Sequence, residues 1–243
     1  NAQVKVDSNV VAEYTGPHPR QPTTPLLKKF PEIVFEEGKF DANETTNTYV
    51  QAGYTVSSSS VAAGVPRPWS AFDGDDSTHM EFLWTAGFYN GNHQTDPGFV
   101  NTNAALTTNV DGSGTYRGEW LQIELPKKIS LTRYTLGKRA FSLGGIITKE
   151  GKILGSNDGT NWITVYDHND TGGVYDSGGI IVEKRSFQVD SSSYYKYFRL
   201  ATNKLFSSGL NNTVNMTPNI AVWDLYGTEE SPPPGDLSLD TTL

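Results

Sequence analysis

The segment at residues 154–162, which reads LGSNDGTNW, constrains the fold more than any other part of the chain. It places the pair Asp158-Gly159 between two stretches rich in β-branched, aliphatic and aromatic residues, 151–154 and 162–166. A type I′ turn needs a positive φ angle at both of its central residues, and Asp-Gly is one of the few pairs that accept this. The segment therefore predicts a strand, a tight hairpin turn and a second strand.

Short segments with strand character recur through residues 41–228, separated by Gly, Asn, Asp and Ser. Apolar and polar residues alternate in 120–125 and again in 129–136, which is the pattern of half-buried strands, and Pro126-Lys127-Lys128 separates the two. No long stretch keeps the 3.6-residue period of a helix. Many short strands joined by turns predict an all-β sandwich or barrel.

The two ends of the chain differ from this middle part. Residues 1–40 are rich in proline, which cannot donate a hydrogen bond to a sheet, so we expect an extended N-terminal arm that lies along the domain or on a neighbour. A flexible leader is the alternative. The run SPPPG at 231–235 predicts a linker or a frayed end. The expected organisation is an arm at 1–40, a β-sandwich at 41–228 and a proline-rich tail at 229–243.

Composition excludes several classes of function. The net charge is −8 and no dense Lys/Arg cluster occurs, so we expect no nucleic-acid partner. No apolar run approaches the roughly 20 residues of a membrane span. The chain has no cysteine, which excludes disulfides, thiolate metal sites and a cysteine nucleophile.

Five blocks of the sequence, taken in order, resemble the F5/8 type C, or discoidin, family of galactose-binding-like domains. The blocks are 69–75 with Trp84, 118–125, 154–162, 197–200 and 221–227. The resemblance implies a discoidin-like jelly-roll β-sandwich that binds sugars or surfaces. The modules of this kind that it most resembles occur in structural proteins of large algal DNA viruses, and carbohydrate-binding modules of bacterial glycosidases share the same blocks.

The resemblance also assigns residues to the core. It implies that Trp120, Trp162, Phe198 and Leu200 pack in the interior rather than against a ligand. Arg199 lies between apolar neighbours, so we expect it to pair with a carboxylate at the edge of the sheet, an interaction whose loss would cost roughly 3–5 kcal/mol.

The segment 73–78, DGDDST, is the candidate metal site, because it supplies several hard oxygen atoms within one turn, as Ca²⁺ prefers. The resemblance implies a structural Ca²⁺ here, with a last ligand from the closing strand, where Val222 stands in place of the usual Glu. The predicted ligands are Asp73, Asp76, Thr78 and Asp224. The alternative is a turn whose Asp side chains bond their own backbone.

Residues 85–117 form a long insertion with aromatic side chains among polar ones, which suits sugar recognition, and the resemblance implies ligand binding by loops at one end of the sandwich. The predicted ligand-binding residues are Tyr89, His93, Phe99, Arg139 and Phe141. The segment 204–206 pairs a cation with an aromatic in the same way as 138–141. The alternatives are that the aromatics only pin the insertion to the domain and that the cations are solvated loop charges.

Catalysis finds little support in the sequence. The histidines are scattered, at positions 18, 79, 93 and 168, and no G-x-S-x-G segment occurs. We therefore expect a non-enzymatic binding protein: a virion surface or minor capsid protein that binds glycans, cell-surface polysaccharide or neighbouring capsid subunits. The alternative is an extracellular carbohydrate-binding module of a larger bacterial enzyme or adhesin. A hydrolase is the third and least supported class.

Overall fold

The computed structural model describes residues 2–6, 9–14, 26–41, 47–60, 68–75, 82–83, 89–90, 99–101, 107–138, 147–172, 183–206 and 218–231. In 2–6, 9–14, 82–83, 89–90, 99–101, 107 and 219, the description covers the backbone alone.

The described residues form seventeen strands and one short 3-10 helix. The strands of the first half are β1 (Ala2–Val6), β2 (Asn9–Tyr14), β3 (Lys28–Phe30), β4 (Thr48–Gln51), β5 (Tyr54–Ser58), β6 (Phe82–Leu83), β7 (Tyr89–Asn90), β8 (Phe99–Asn101), β9 (Thr107–Val110) and β10 (Gly114–Arg117). Those of the second half are β11 (Glu119–Gly137), β12 (Thr148–Ser156), β13 (Ile163–Asn169), β14 (Lys184–Gln188), β15 (Tyr194–Leu205), β16 (Asn219–Ile220) and β17 (Val222–Glu229). The helix η1 spans Pro68–Phe72. The predicted all-β fold is confirmed, and every pairing between named strands is antiparallel. Within the described part of the chain, no helix is long and apolar enough to cross a membrane.

One long strand, β11, belongs to both layers of the sandwich. Its first part, 119–124, pairs with β15 and β5, and its second part, 129–137, pairs with β17 and β14. The sequence had suggested two strands separated at Pro126, and this is wrong. The ladder to β15 is interrupted between Glu124 and Ile129, so the missing N–H of Pro126 costs no ladder bond and the strand continues through it.

The core lies between these two layers. The first layer has the strand order β13-β12-β15-β11-β5-β4 and the second has the order β14-β11-β17-β3. Side chains that alternate along each strand fill the space between them, and burial of each stabilises the fold by roughly 1.5–3 kcal/mol. Fully buried members are Val56, Leu121, Ile123, Leu125, Tyr134, Leu136, Ile153, Phe198, Leu200, Trp223 and Leu225. Phe198 and Leu200 thus lie in the core as predicted.

The N-terminal region is only partly the arm that its prolines suggest. Strands β1 and β2 pair with each other and with no other described strand. Residues 28–30 form β3, whose Phe30 pairs with Leu225 of the closing strand and is buried in the core. This stretch of the predicted arm is therefore the edge strand of the second layer. The division into arm, sandwich and tail otherwise stays a prediction.

The hairpin expected at Asp158-Gly159 is present, but its turn is of another kind. Strand β12 ends at Ser156 and β13 begins at Ile163, so the connection is longer than a two-residue turn. Gly159 has a positive φ of 73°, and Asp158 does not. The Asp158 carboxylate accepts hydrogen bonds from the backbone N–H groups of Thr160 and Asn161 and from the side-chain amide of Asn161. These bonds hold the pKa of Asp158 well below its usual range. The prediction of a type I′ turn was therefore wrong, because hydrogen bonds to the Asp158 side chain, and not the backbone alone, close the loop.

A second apolar cluster covers the outer face of the first layer. The β9–β10 hairpin lies over this face and contributes Val110 and Tyr116 to a cluster with Leu154, Trp162 and Ala201. Trp162 is buried, as predicted, whereas Trp120 is partly exposed and belongs to this outer cluster rather than to the main core.

Arg199 lies inside the outer cluster and has no carboxylate partner among the described residues, so the predicted ion pair is wrong. Its guanidinium carbon is 4.0 Å from the ring centres of both Trp120 and Trp162. It donates to Gln122 Oε1 from Nε (3.1 Å) and Nη2 (2.6 Å), and to Thr108 Oγ1 from Nη1 (3.0 Å). Burial lowers the pKa of Arg199 to about 9. Two indole faces and two neutral acceptors replace the expected carboxylate.

Candidate functional site at one end of the sandwich

One end of the sandwich, which we call the loop end, gathers the termini of several strands from both layers. In the second layer, Gly137 at the end of β11 pairs with Lys184 and Val222, which start β14 and β17. In the first layer, Thr148 at the start of β12 pairs with Leu205 at the end of β15. The connections at 139–146, 173–182 and 207–217 lie outside the described residues.

The backbone brings Tyr89, Phe99 and the start of the 138–141 segment to this end. Phe99 in β8 pairs with Leu205 of β15, and Tyr89 in β7 pairs with Asn101 of β8. The strands that carry Tyr89 and Phe99 therefore extend the first layer beside the 204–206 segment. Lys138 follows directly on β11, and its N–H donates to the carbonyl of Glu183 at 2.9 Å. The side chains of Tyr89 and Phe99, and all of His93, Arg139 and Phe141, lie outside the described residues.

A buried ion pair joins the two layers at the loop end. Asp170 follows β13 and is 3% exposed, and both of its carboxylate oxygens lie 2.9 Å from Nη1 of Arg185 in β14. Nη2 of Arg185 also donates to Glu183 at 3.1 Å. The guanidinium carbon of Arg185 is 5.8 Å from the ring centre of Phe206. The ion pair therefore links the two layers beneath the loop end, beside the ring of Phe206.

Two lysines of the loop end are buried rather than solvated. Lys138 is 4% exposed and Lys204 is 8% exposed. Nζ of Lys204 lies 3.4 Å from a carboxylate oxygen of Glu150. For these two residues the alternative of ordinary solvated loop charges is therefore wrong, and their positive charge is part of the packed base of the site.

His168 adds a hydrogen-bonded network beneath the loop end. Its Nε2 lies 3.2 Å from the carbonyl of Thr148, which can only accept, so Nε2 carries the proton and Nδ1 accepts from the hydroxyl of Tyr134 at 2.5 Å. Phe187 packs edge-on against His168 and stacks on Tyr134. Burial lowers the pKa of His168, which keeps the ring neutral.

One predicted metal ligand, Asp224, lines a cavity of about 470 Å³ beside the second layer. Gly74 of the DGDDST turn and both Val222 and Asp224 of the closing strand line this cavity. Asp73 Oδ1 accepts the N–H of Asp75 at 2.8 Å, as in the alternative of a self-bonded turn. Asp224 Oδ1 lies 2.8 Å from Nζ of Lys29.

No group of three His, Cys, Asp or Glu side chains suited to a metal occurs within the described ranges, and Asp76 and Thr78 lie outside them. Calcium therefore stays a prediction.

The sequence reading missed most of the base of the site. Asp170 and Arg185 lie in opposite layers, and the sequence between them contains no recognisable motif. Their spacing in the sequence therefore did not predict that they form an ion pair. His168 is buried between two exposed residues of β13, and nothing in the sequence indicated its burial or its partner Tyr134.

No protein-family model matches the chain, and comparison with curated proteins finds no match either. Solved structures with a similar backbone include a CBM32 domain of a family 31 glycoside hydrolase from Clostridium perfringens, at 20% identity and a TM-score of 0.46, covering 70% of this chain and 88% of that one. The lectin domain of lectinolysin, complexed with Lewis B antigen, shares 14% identity at a TM-score of 0.46 over 72% and 94% of the two chains. The family 32 module of NanJ from C. perfringens, in complex with galactose, shares 17% identity at a TM-score of 0.41 over 72% and 93%. The expected likeness to algal-virus modules is tested by none of these and stays a prediction.

Proposed function

We propose that this chain is a non-catalytic carbohydrate-binding module that binds glycans at the loop end, in the extracellular space, as part of a larger secreted bacterial enzyme or adhesin. One observation carries the proposal: β8, which bears Phe99, pairs with β15 next to Phe206, and β7, which bears Tyr89, pairs with β8. This is the end where β11 leads into Lys138 and Arg139. Segments far apart in the sequence thus meet at one end of the sandwich, which supports the expectation from the discoidin resemblance that loops at one end bind the ligand.

The chemistry of the loop end suits a sugar. A saccharide presents an apolar ring face and several hydroxyl groups, so it needs aromatic side chains together with a few well-placed polar groups. The Asp170–Arg185 pair and buried Lys138 hold the base of the site in one geometry. A base that is already fixed does not have to be ordered when a ligand binds, which favours affinity.

A glycan array tests this function. We expect the wild-type chain to bind one class of sugar, and the variants Tyr89→Ala, His93→Ala and Arg139→Ala to lose that binding. Tyr194→Ala, at the opposite end of β15, is the matched control and should bind as wild type does. Absence of glycan binding by the wild type, or binding that all four variants retain, would contradict the proposal.

A second candidate is a virion surface or minor capsid protein that binds neighbouring capsid subunits. Strands β1 and β2 pair only with each other among the described strands, and an isolated two-stranded hairpin is marginally stable in water. A neighbouring subunit would stabilise it. Deletion of residues 1–25 should then abolish assembly in sedimentation experiments and leave the melting temperature of the remaining domain unchanged. Unchanged assembly in the deletion variant would exclude this role for the hairpin.

We also propose that Ca²⁺ binds at the cavity beside η1, held by Asp73, Asp76, Thr78 and Asp224. The carboxylate of Asp224 and the turn that contains Gly74 line the same cavity, which supports the proposal. The ion would tie the DGDDST turn to the closing strand. Lys29 Nζ, 2.8 Å from Asp224 Oδ1, would weaken this binding, because its positive charge repels the ion and occupies one of the two carboxylate oxygens.

A further inference from the structure

A polar pocket lies at the far end of the sandwich, opposite the loop end. Its volume is about 440 Å³, and it opens between the turn of the β9–β10 hairpin and the 157–161 turn. Residues 109–112 and Gly114 line one side, and Asn161 and Trp162 line the other. The nine-residue strand β12 separates the two ends by roughly 30 Å at about 3.3 Å per residue.

The walls of this far-end pocket are tied to each other and to the sheet. The N–H of Asp111 donates to the carbonyl of Trp162 at 2.8 Å, and Val110 forms a parallel bridge with Trp162. Trp162 in turn packs on the guanidinium of Arg199 at 4.0 Å. The hairpin and the 157–161 turn therefore form one preordered unit, and a ligand entering between them would not have to fix their relative position.

The polar side chains that line the pocket can form further hydrogen bonds, mostly as acceptors. Asn161 Nδ2 donates to Asp158 Oδ2 at 2.6 Å, which fixes the amide group and leaves its Oδ1 as an acceptor. The exposed side chains of Asn109 and Asp111 have no hydrogen bond or ion pair within the described part of the chain. A carboxylate accepts only, whereas the amide of Asn109 both accepts and donates. A ligand that fits must bring several donors.

We propose that the far-end pocket binds a neutral, hydroxyl-rich ring, which is one monosaccharide unit, at a site separate from the loop end. Hydroxyl groups supply the donors that Asp111 and Asn161 require and can also accept from Asn109. Among the described residues that line the pocket, Asp111 alone is charged, and its negative charge disfavours carboxylate, sulfate and phosphate ligands. A volume of about 440 Å³ lies within the range of small-ligand sites.

This inference does not rest on the function proposed for the loop end. If both sites bind saccharides, the chain is bivalent and can engage two points of one polysaccharide, which raises its apparent affinity without any new contact. If the loop end binds no glycan, the far-end pocket is still a saccharide site by its own chemistry.

Nuclear magnetic resonance titration of the full chain tests the proposal. The probes are the neutral sugars D-galactose and D-glucose, the anionic sugar D-glucuronate and the cationic sugar D-glucosamine. The readouts are the indole N–H of Trp162 and the side-chain amide of Asn161. We expect saturable shifts with at least one neutral sugar, and binding weakened by at least about tenfold in Asp111→Ala, because the carboxylate accepts hydroxyl donors.

Two further variants locate the site. Asn109→Trp fills the pocket from an exposed strand position and should abolish the shifts. Thr160 lies in the same turn region and does not line the pocket, so the variant Thr160→Ala should show the same titration as the wild type. Shifts that persist in Arg139→Ala would show that the loop end is not their source.

The proposal is overturned if no neutral sugar shifts either signal, if Asp111→Ala titrates like the wild type, or if only glucosamine binds, since the last result describes a cation site. A shift at Trp162 that disappears in Arg139→Ala would equally exclude a separate site.

Discussion

Nζ of Lys29 lies 2.8 Å from Oδ1 of Asp224, so the carboxylate that closes the cavity beside η1 already faces a cation supplied by the chain itself. Lys29 belongs to the short edge strand β3, and Asp224 belongs to β17, its direct neighbour. The contact gives the proposed calcium site an internal competitor.

Lys29→Met should strengthen calcium binding. The lysine side chain is about half exposed, so loss of the ion pair alone should change the free energy of unfolding by only about 0–1 kcal/mol. With the ammonium gone, Ca²⁺ no longer meets a positive charge beside the Asp224 carboxylate, and both carboxylate oxygens are open to it. We expect a larger rise in melting temperature on addition of Ca²⁺ to Lys29→Met than to the wild type, measured against the same proteins in chelator. Lys39→Met, on an exposed pair with Glu36, is the control. Equal melting temperatures with and without Ca²⁺ in both proteins would argue against a bound ion.

Arg199→Met should destabilise the fold through the outer cluster. The substitution keeps most of the volume and removes the cation that stacks between Trp120 and Trp162 and bonds Gln122 and Thr108. We expect a loss of about 2–4 kcal/mol in urea unfolding, since two cation–π contacts and the buried hydrogen bonds disappear together. The tryptophan fluorescence of the folded state should also change.

Arg117→Met, on the exposed end of β10, should change the free energy of unfolding by no more than about 0.5 kcal/mol. A loss in Arg199→Met as small as that of Arg117→Met would show that the two indoles hold the hairpin without the cation between them.

The limits of sequence reading show clearly in particular residues. The alternation of 120–125 and 129–136 correctly predicted strand structure in both segments, because side chains in a strand alternate with a period of two. It did not predict the irregularity between Leu131 and Arg133, after which the buried apolar positions are Tyr134 and Leu136. The dipeptide Asp158-Gly159 correctly gave a hairpin, but the turn type depended on which backbone N–H groups the Asp carboxylate could reach. Local patterns thus fixed local structure and left hydrogen-bond geometry open.

Residues whose partners are distant in sequence were predicted poorly. A buried arginine at 199 suggested a carboxylate, because charge pairing is the commonest solution, and the two tryptophans that stack on it lie 79 and 37 positions away in a sheet whose order the sequence does not state. The Asp170–Arg185 pair was missed for the same reason, since it links two layers. The resemblance led us to expect Tyr89 and Phe99 at one end of the sandwich; β8 pairs with the end of β15 and β7 pairs with β8, and the role of the two side chains stays a prediction.

Lowering the pH should weaken the fold through His168. Burial lowers the pKa of this histidine below its ordinary value of 6.5, so the unfolded chain binds a proton more readily than the folded one. Stability is therefore full above about pH 6.5, falls as the pH drops below it, and levels off once the folded-state pKa is passed. Melting temperatures measured between about pH 8 and 5 should show this fall, with a smaller slope in His168→Phe than in the wild type.

His168→Phe leaves the hydroxyl of Tyr134 without its partner, so it should also be less stable at neutral pH, and Tyr134→Phe/His168→Phe provides the matched background. The comparison separates His168 from the other titrating groups, because only the slope that the substitution removes belongs to it. Identical slopes in the wild type and both variants would mean that His168 does not govern the response to acid.

Asp170→Asn should damage the loop end far more than removal of the neighbouring acid. Asp170 is 3% exposed and bonds Arg185 through both oxygens, so the substitution leaves a largely buried guanidinium without its main counter-charge. Breaking one partner of a buried pair costs roughly 3–5 kcal/mol, and the layers it joins carry the segments at 138–141 and 204–206. Glu183→Gln removes a more exposed partner of the same arginine at 3.1 Å and should cost only about 0–1 kcal/mol.

Urea unfolding and a glycan array on the two variants measure stability and binding separately. We expect Asp170→Asn to lose both and Glu183→Gln to keep both, because the ion pair positions the base on which the proposed glycan site is built. Equal stability of the two variants would show that Arg185 is held by Phe206 and Glu183 instead of by Asp170.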